Sequence, residues 1–337
     1  MKAIVQDRYG SPDVLELREI DRPTVKDEEV LVRVRAASVH PDVWHVMRGV
    51  PYVLRIMGAG VRTPKSRVPG TDLAGHVESV GRNVTRFQPG DEVFGQCLVA
   101  NLWRNGGAYA EYAAAPEARL ELKPANLTFE QAGAVPTSGA IAVQGVRDEG
   151  QLQPGQRVLI NGAGGAVGTF AVQLSKAYGA DVTGVDAPGK LDVLRSIGAD
   201  RVVDYTRGDF TRSGERYDLV LDIVGNHPWS ACRRALTPEG TYVLIGHDQF
   251  GRSGHRWFGS LGRFFKLMVI SPFVSHLHPF RGAKDPGDRL VVLKELIEAR
   301  KITPIIDRTF PLSEVPEAIR YLESGQARGK VVITVGD

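Results

Sequence analysis

The sequence predicts an α/β protein: a mostly antiparallel, barrel-like β domain, followed by a parallel β-sheet with helices on both faces. Short strands separated by turn residues fill the first third of the chain, and beyond residue 125 strands and helices alternate. At roughly 150 residues per domain, the length of 337 residues suits two domains. We therefore expect a first domain at 1–126, a second at 127–285, and a segment 286–337 that returns to the first.

The β domain is predicted from alternation and turn chemistry. Residues Glu29–Ala37 alternate apolar and charged side chains, which is typical of a half-buried strand. Pro-Gly, Pro-Gly-Asp and Gly-Gly sequences punctuate this part of the chain and indicate tight turns. Three further short strands are expected at Gly75–Val80, Glu92–Gly95 and Tyr109–Ala113.

The second domain is predicted from strand–helix alternation, which favours a parallel sheet because each helical crossover lets the next strand run in the same direction. A helix rich in small residues at 127–146 precedes the alternation, and an amphipathic helix at 291–301 follows it. The expected strands are Arg157–Ile160, Asp181–Val185, Arg201–Val203, Asp218–Val224 and Thr241–Ile245, and the expected helices between them are Thr169–Tyr178 and Lys190–Ile197. A last strand, Lys330–Val335, is expected in the segment that returns to the first domain.

Composition excludes several classes of protein. The formal charge of +3 is too small to argue for a nucleic-acid or membrane partner. Two cysteines cannot build a disulfide framework or a four-cysteine zinc lobe, and no apolar run approaches the ~18 residues of a membrane span. The amino terminus becomes charged too early for a signal peptide, so we expect a cytoplasmic protein. Glycine is in excess, with 38 residues, which indicates many tight turns and favours loops that hold a ligand.

A glycine-rich loop, NGAGGAVG, follows a predicted strand and opens a predicted helix, which is the context of a dinucleotide-binding loop. Gly162 allows the tight turn, Gly165 lets the backbone approach a pyrophosphate, and Gly168 lets the helix pack closely. The amides of the first helical turn, at Ala166 and Val167, then face the phosphates. The alternative is a flexible loop that binds nothing.

Residues after the second and third strands of this domain give conflicting indications about the cofactor. Asp186 lies 24 positions after Gly162, and an acid near this offset usually binds a ribose 2′-hydroxyl, which favours NAD. Lys190 and Tyr205 could instead bind a 2′-phosphate, which favours NADP, although Lys190 could also be a solvated helix-start residue.

Ligands of open α/β sheets bind at the carboxyl ends of the strands. By this rule Val224, Gly225 and Gly246, which follow the last two strands of the sheet, are further candidate cofactor contacts.

The chain resembles the medium-chain dehydrogenase/reductase superfamily, and within it the zinc-free quinone oxidoreductase branch typified by zeta-crystallin. The resemblance covers nearly the whole chain and rests on several motifs in order. These are VPGTDLAG at 68–75, FQPGDEVFG at 87–95, GGAYAEY at 106–112, the glycine loop, GAD at 198–200 with VDY at 203–205, and GKVV at 329–332.

This resemblance implies a chaperonin-10-like β-barrel domain, a Rossmann domain, a C-terminal return to the first domain, and hydride transfer from NADPH. Lys190 and Tyr205 hold the 15-residue spacing of the lysine and tyrosine that contact the 2′-phosphate in relatives, whereas Asp186 and Ala187 replace small polar residues. We therefore expect NADPH, with NADH as the alternative. Lys330, in the closing motif, is included among the expected cofactor contacts.

The resemblance also argues against a metal. Zinc-dependent relatives hold zinc with a Cys and a Gly-His-Glu motif, and the matching positions here are His40 and Thr71. Threonine is a poor zinc ligand, so we expect no metal, although a His40/Asp72 site is conceivable. Without a Lewis acid the substrate must already be electrophilic, as quinones and enones are.

The candidate catalytic residues are His40, Asp42, His45 and Tyr52. Asp42 and His45 occupy places that resemble the proton relay of zinc alcohol dehydrogenases, and histidine exchanges protons near neutral pH. Tyr52 resembles a tyrosine that lines the substrate pocket in relatives. The alternative is that the histidines are hydrogen-bonded loop residues and the tyrosine a packing aromatic.

The favoured function is an NADPH-dependent reductase of quinones or α,β-unsaturated carbonyls. The alternatives are an alcohol dehydrogenase and a cofactor-binding or RNA-binding protein with vestigial catalysis. The basic, aromatic segment Gly251–Pro286 fits no regular element, and its part Arg252–Arg281 could be a lid and subunit contact, a solvated loop, or a nucleic-acid or membrane patch. Relatives pair through an edge strand, so we expect a homodimer that uses Lys266–Phe273 or its neighbours.

Overall fold

The computed structural model of the chain describes residues 1–98, 106–246, 256–259, 261–277 and 286–336. It contains two units, each built from discontinuous parts of the sequence. The first unit comprises Met1–Thr137, Pro286–Glu298 and Pro304–Asp337, and the second comprises Ser138–Asp285 and Ala299–Thr303. Parts of the basic segment Arg252–Arg281 lie outside the described residues.

The described residues form strands and helices that are numbered here in chain order. The strands are β1 Lys2–Gln6, β2 Leu15–Glu19, β3 Glu29–Val39, β4 Asp72–Val80, β5 Glu92–Gln96, β6 Tyr112–Pro116, β7 Leu120–Leu122, β8 Arg157–Asn161, β9 Asp181–Asp186, β10 Arg201–Asp204, β11 Tyr217–Asp222, β12 Leu236–Leu244, β13 Ile306–Pro311 and β14 Lys330–Thr334. The helices are α1 Pro41–Arg48, α2 Phe129–Gly133, α3 Pro136–Val143, α4 Ala166–Ala177, α5 Leu191–Ser196, α6 Trp229–Cys232, α7 Leu261–Ile270, α8 Pro286–Glu298 and α9 Val315–Glu323. None of these helices is long and apolar enough to span a bilayer.

The first unit is organised around the long strand β3. This strand pairs antiparallel with β4, β6 and β14, within a sheet of order β13-β14-β3-β4-β5-β7. Its register with β4 shifts at Leu31/Val32 and again at Val34/Ala36, and such bulges bend a strand. The bending lets one strand serve several partners, and the C-terminal strand β14 thereby lies beside the end of β3, with Val331 opposite Val39.

The second unit is a parallel sheet of order β10-β9-β8-β11-β12. The order reverses between β8 and β11, which makes this the switch point where ligands of doubly wound sheets bind. Apolar side chains make up most of β8 and β11, as expected where both faces of a sheet are covered. The predicted α/β class, with a β domain and a doubly wound parallel sheet, is confirmed.

Several element boundaries differ from the sequence-based expectation. The single helix expected at 127–146 is divided into α2 and α3, because Pro136 lacks the N–H that a continuing helix needs. The strand expected at Tyr109–Ala113 is displaced to β6, and Tyr109 instead hydrogen-bonds to the backbone of Pro69 and Ile4.

The segment 251–286 was expected to lack regular structure, and this expectation was wrong for α7. The periodicity of α7 is hard to recognise because apolar side chains also cover its exposed face, at Phe265, Met268 and Val269. Its other face packs Leu267 and Ile270 against the core of the second unit.

Candidate cofactor and active site

The glycine loop begins where β8 ends and is tied to the neighbouring strand. Gly162 has φ of +88°, which an L side chain rarely adopts, and a Cβ there would lie 2.6 Å from the Val224 methyl. The amides of Gly162 and Ala163 both donate to the Val185 carbonyl, at 3.0 and 3.1 Å. The loop is therefore built to turn sharply at the carboxyl ends of β8 and β9.

The two later glycines of the loop differ in what surrounds them. A Cβ at Gly168 would lie 2.3 Å from the Gly162 oxygen and 2.4 Å from the Ala163 oxygen, so α4 can approach the loop only because this residue is glycine. At Gly165 the nearest atom to such a Cβ is the Gly162 oxygen, 3.6 Å away. Space is thus open at the amino end of α4, where amides and the helix dipole favour an anion, and this cradle fits a pyrophosphate.

Asp186 and Lys190 meet above this loop. The Asp186 side chain is 10% exposed, and its carboxylate accepts hydrogen bonds from the amides of Gly164, at 2.7 Å, and Ala187, at 2.8 Å. The Lys190 ammonium lies 3.8 Å from the same carboxylate. A Cβ at Gly164 would come within 2.7 Å of the Lys190 Cβ, so the lysine lies directly over the loop. The acid is therefore turned inward and screened by a cation.

Tyr205 lies one residue beyond β10, beside the end of β9. Asp204 is the register partner of Asp186, and the Tyr205 amide donates to the Asp186 carbonyl at 3.3 Å. The Tyr205 side chain is exposed. The structure thus brings Tyr205 to the same edge of the sheet as Asp186 and Lys190.

The candidate contacts after β11 and β12 surround a buried carboxylate. Gly225 has φ of +68°, which favours glycine, and a Cβ at Gly246 would lie 1.9 Å from the Ile223 oxygen, which excludes a side chain there. Asp222 is fully buried and accepts hydrogen bonds from the Gly225 amide and the Asn161 side chain, each at 2.8 Å.

Two further side chains complete this network. The Tyr242 hydroxyl donates to Asp222 at 2.7 Å, and the Arg263 guanidinium lies 3.6 Å from the same carboxylate. Burial and the Asp222 charge raise the pKa of Tyr242 well above its usual value, so Tyr242 remains a donor. Sequence reasoning missed these residues, and the one available signal was an aspartate that ends an otherwise apolar strand.

The candidate catalytic residues lie in the first unit, on α1 and directly before and after it. His40 caps this helix: its Nδ1 accepts from the Asp42 amide at 3.3 Å and lies 3.3 Å from the Asp42 carboxylate. Nδ1 can accept from the amide only without a proton and can donate to the carboxylate only with one. The pair therefore has two alternative hydrogen-bonded states, which differ in whether Nδ1 carries a proton.

The Asp42 carboxylate favours the anionic form. Burial acts to raise the pKa of Asp42, but the charge and hydrogen bond of His40, with smaller contributions from His45 and Lys330, outweigh it and lower that pKa. Asp42 is therefore negatively charged at neutral pH.

His45 and Tyr52 lie further along the same segment. His45 is buried, its Nδ1 lies 2.8 Å from the Val50 oxygen, and its ring packs edge-to-face on Trp44 with centroids 4.8 Å apart. The Arg55 guanidinium lies 4.8 Å from the centre of the Tyr52 ring. Local structure thus explains the position of each side chain, and their predicted catalytic roles stay predictions.

The Lys330 side chain is buried, whereas a lysine that binds a phosphate is expected to face solvent. Its side chain is 1% exposed and its Nζ lies 3.5 Å from the carboxylate of Asp72, which is fully buried. Asp72 also accepts from the Ser38 hydroxyl at 3.1 Å and from the amide and hydroxyl of Thr137. Burial lowers the pKa of Lys330, and the charge of Asp72 opposes that shift. The expected cofactor role of Lys330 stays a prediction.

The side chains at the positions of zinc ligands do not fit a catalytic zinc. The Thr71 hydroxyl lies 3.4 Å from Asp72, whose oxygens already bind an ammonium and hydroxyl donors. Nearby Cys97 is buried, its sulfur lies 3.2 Å from the Thr71 oxygen, and burial raises the pKa of its thiol, which disfavours the thiolate that zinc needs. Within the described ranges, no three His, Cys, Asp or Glu side chains group as metal ligands.

Comparisons with known proteins match the chain to dehydrogenase families and oxidoreductases. Residues 26–125 match the family described as "Alcohol dehydrogenase GroES-like domain", and residues 197–333 match "Zinc-binding dehydrogenase". The chain is 32% identical to the mitochondrial NAD(P)H oxidoreductase RTN4IP1 of Mus musculus, covering 99% of this chain and 89% of that protein. It is 34% identical to the chloroplastic NADPH-dependent alkenal/one oxidoreductase of Arabidopsis thaliana, covering 99% and 79%.

A solved structure shows the same likeness in three dimensions. The quinone oxidoreductase of Coxiella burnetii superposes with a TM-score of 0.84 at 28% identity, covering 100% of this chain and 99% of that one.

Substitutions at two glycines of the loop should separate binding from folding. A Gly165→Val side chain enters open space, so the variant should keep its melting temperature but lose at least about tenfold in dinucleotide affinity. A Gly168→Ala methyl overlaps two carbonyl oxygens, so this variant should melt at a lower temperature. Calorimetry and cofactor titration measure both effects, and a folded Gly165→Val protein with parental affinity would refute the assignment of the loop.

Proposed function

The chain belongs to the quinone oxidoreductase branch of the medium-chain dehydrogenase/reductase superfamily, and we propose that it reduces quinones or α,β-unsaturated carbonyls with NADPH, without a metal. It is an NAD(P)H-dependent oxidoreductase. The observation that carries the proposal is the Lys330–Asp72 ion pair. In this pair the Asp72 carboxylate, which a metal would need as a ligand, already binds an ammonium.

Bound NADPH supplies a hydride, and the chain must handle the negative charge that then develops on the substrate. In a quinone or enone this charge is delocalised onto oxygen, so hydrogen-bond donors suffice. The His40 Nδ1 lies 3.3 Å from the anionic carboxylate of Asp42, and an imidazole beside a carboxylate is a common arrangement in general acid–base catalysis. We assign the proton-holding role to this pair, with His45 and Tyr52 as neighbouring candidates.

The alternatives are less well supported. Oxidation of an unactivated alcohol requires stabilisation of an alkoxide, for which His40, Thr71 and Asp72 offer no suitable set of metal ligands. A protein that only binds a cofactor would not explain why the similarity to oxidoreductases extends over 99% of the chain.

The choice of NADPH rests on the direction of the Asp186 side chain. Its oxygens accept from the amides of Gly164 and Ala187, so they are turned to the loop, and Lys190 screens them. An incoming 2′-phosphate would therefore meet an ammonium before a carboxylate. Tyr205 is exposed at the same edge and adds a hydroxyl.

We further propose a homodimer and a cytoplasmic location. β12 is the end strand of the described sheet. Val269 and Phe273, within the expected contact Lys266–Phe273, and the preceding Phe265 expose apolar side chains. Cys97 and Cys232 are buried free thiols, which suits a reducing compartment.

A substrate screen on chelated protein tests the reaction. After treatment with EDTA, the protein should oxidise NADPH in the presence of quinones and enones at an unchanged rate, because the site does not fit zinc. Saturated alcohols with NADP⁺ should give no NADPH. Stoichiometric zinc in the purified protein, with activity that tracks its content, would contradict the proposal.

Replacing Lys190 tests the cofactor choice. Lys190→Ala removes one charge-assisted hydrogen bond, typically ~1.5–3 kcal/mol, so NADPH affinity should fall about tenfold or more while NADH affinity hardly changes. Lys176→Ala is the matched control, because that ammonium binds Asp200 at 2.7 Å and should leave both affinities unchanged. Equal losses for both cofactors, or a parental preference for NADH, would show that Asp186 controls the site.

Sedimentation tests the assembly. The parent should be a dimer at micromolar concentration, and Val269→Asp should give a monomer because a charge would be buried in the contact. Ile56→Asp, at an exposed apolar residue of the first unit, should remain dimeric. A monomeric parent would rule out the dimer.

A further inference from the structure

Arg263 is a charged side chain of α7 that turns into the second unit. Its side chain is 22% exposed, and its guanidinium donates to the backbone carbonyls of Gly225 and His227 and, at 2.9 Å, to the Tyr242 hydroxyl. Arginine suits this role because its planar fork presents several donors in fixed directions. One side chain thus binds two carbonyls of a single turn.

The same turn is held from its other side by Asp222. The Gly225 amide donates to Asp222 Oδ1, while the Gly225 carbonyl accepts from Arg263, so both polar backbone groups of this residue are fixed. Gly225 has φ of +68°, a conformation that no regular element enforces. The buried carboxylate in turn requires a nearby cation, and Arg263 lies 3.6 Å from it.

The turn lies beside the glycine loop. The Asn161 side chain, at the end of β8, donates to both Asp222 and Asn226 at 2.8 Å. A Cβ at Gly162 would lie 2.6 Å from the Val224 methyl, so the turn and the loop are in direct contact. Both lie at the carboxyl ends of β8 and β11, on either side of the switch point where doubly wound sheets bind ligands.

We propose that Arg263 is a positioning residue: it holds the Gly225–His227 turn in the conformation that completes the dinucleotide-binding cleft, and thereby links α7 to cofactor affinity. The proposal rests on the proposed cofactor site. Arg263 acts through the turn, and the groups that the cofactor would meet are those of the turn and the loop.

Binding measurements on two arginine variants test the proposal. Arg263→Ala should weaken NADPH binding about tenfold, measured by calorimetry or by nucleotide fluorescence without substrate, and should change kcat less than KM. Hydrogen exchange at residues 223–228 should become faster in the absence of cofactor, because the turn has lost its clamp.

Arg216→Ala is the matched control. Arg216 precedes β11 and donates to the Leu236 carbonyl at 2.8 Å, so it makes the same kind of bond at the opposite end of the same strand. It should leave NADPH affinity and exchange at residues 223–228 unchanged. Equal losses of affinity in both variants, or parental affinity in Arg263→Ala, would overturn the proposal.

Chemical rescue separates positioning from general loss of stability. Ethylguanidinium should restore NADPH affinity to Arg263→Ala, whereas ethylammonium, which lacks the planar fork, should restore less. If Arg263→Ala does not fold, Tyr242→Phe serves instead: it removes one partner of the clamp, and should weaken NADPH about threefold and speed exchange of the turn. Parental values for both readouts in Tyr242→Phe would also overturn the proposal.

The outcome is distinguishable from failure of the proposed function. If the parent binds NADPH but reduces no quinone or enone, the substrate proposal fails, and the affinity comparison still decides the role of Arg263. If the parent binds neither nucleotide, the cofactor site and the proposal that rests on it both fail.

Discussion

The buried ion pair between Lys330 and Asp72 is the interaction on which the first unit depends. It joins β14 to β4 across most of the sequence, and both side chains are almost completely buried. Removing one partner would leave an uncompensated buried charge, at a cost of ~3–5 kcal/mol. The hydroxyls of Ser38 and Thr137 satisfy the remaining oxygens of Asp72. A carboxylate engaged in this way is a poor metal ligand, which supports the proposal that the substrates are already electrophilic.

The second unit depends on a close approach of backbones rather than on charge. α4 can lie against the loop because Gly168 has no Cβ, and the loop can turn because Gly162 tolerates φ of +88°. Both requirements leave the amino end of α4 open at Gly165. The space for an anionic ligand is therefore a consequence of how the sheet and its first helix pack.

Three buried or nearly buried aspartates have different partners and different structural roles. Asp72 is paired with Lys330, Asp186 with two amides and Lys190, and Asp222 with an amide, a tyrosine and Arg263. Each charge is compensated, as burial demands, but by a different partner. In our proposals the first arrangement argues against a metal, the second favours a 2′-phosphate over a hydroxyl, and the third fixes the Gly225–His227 turn.

The sequence by itself determined the class of fold, the glycine loop, the order of strands and helices in the second unit, and the replacement of zinc ligands at His40 and Thr71. The fold class, the loop and the order of elements follow from local periodicity and from turns that favour glycine, which are visible within a few residues, whereas the replaced zinc ligands follow from the resemblance to the family. It did not reveal α7, because apolar side chains cover the exposed face of that helix. Only the tertiary structure decided that Asp186 turns inward, that Lys330 is buried, and that Arg263 clamps the turn after β11. The direction of a charged side chain depends on partners far away in sequence, because a buried charge is stable only when the fold places an opposite charge or a hydrogen-bond partner beside it.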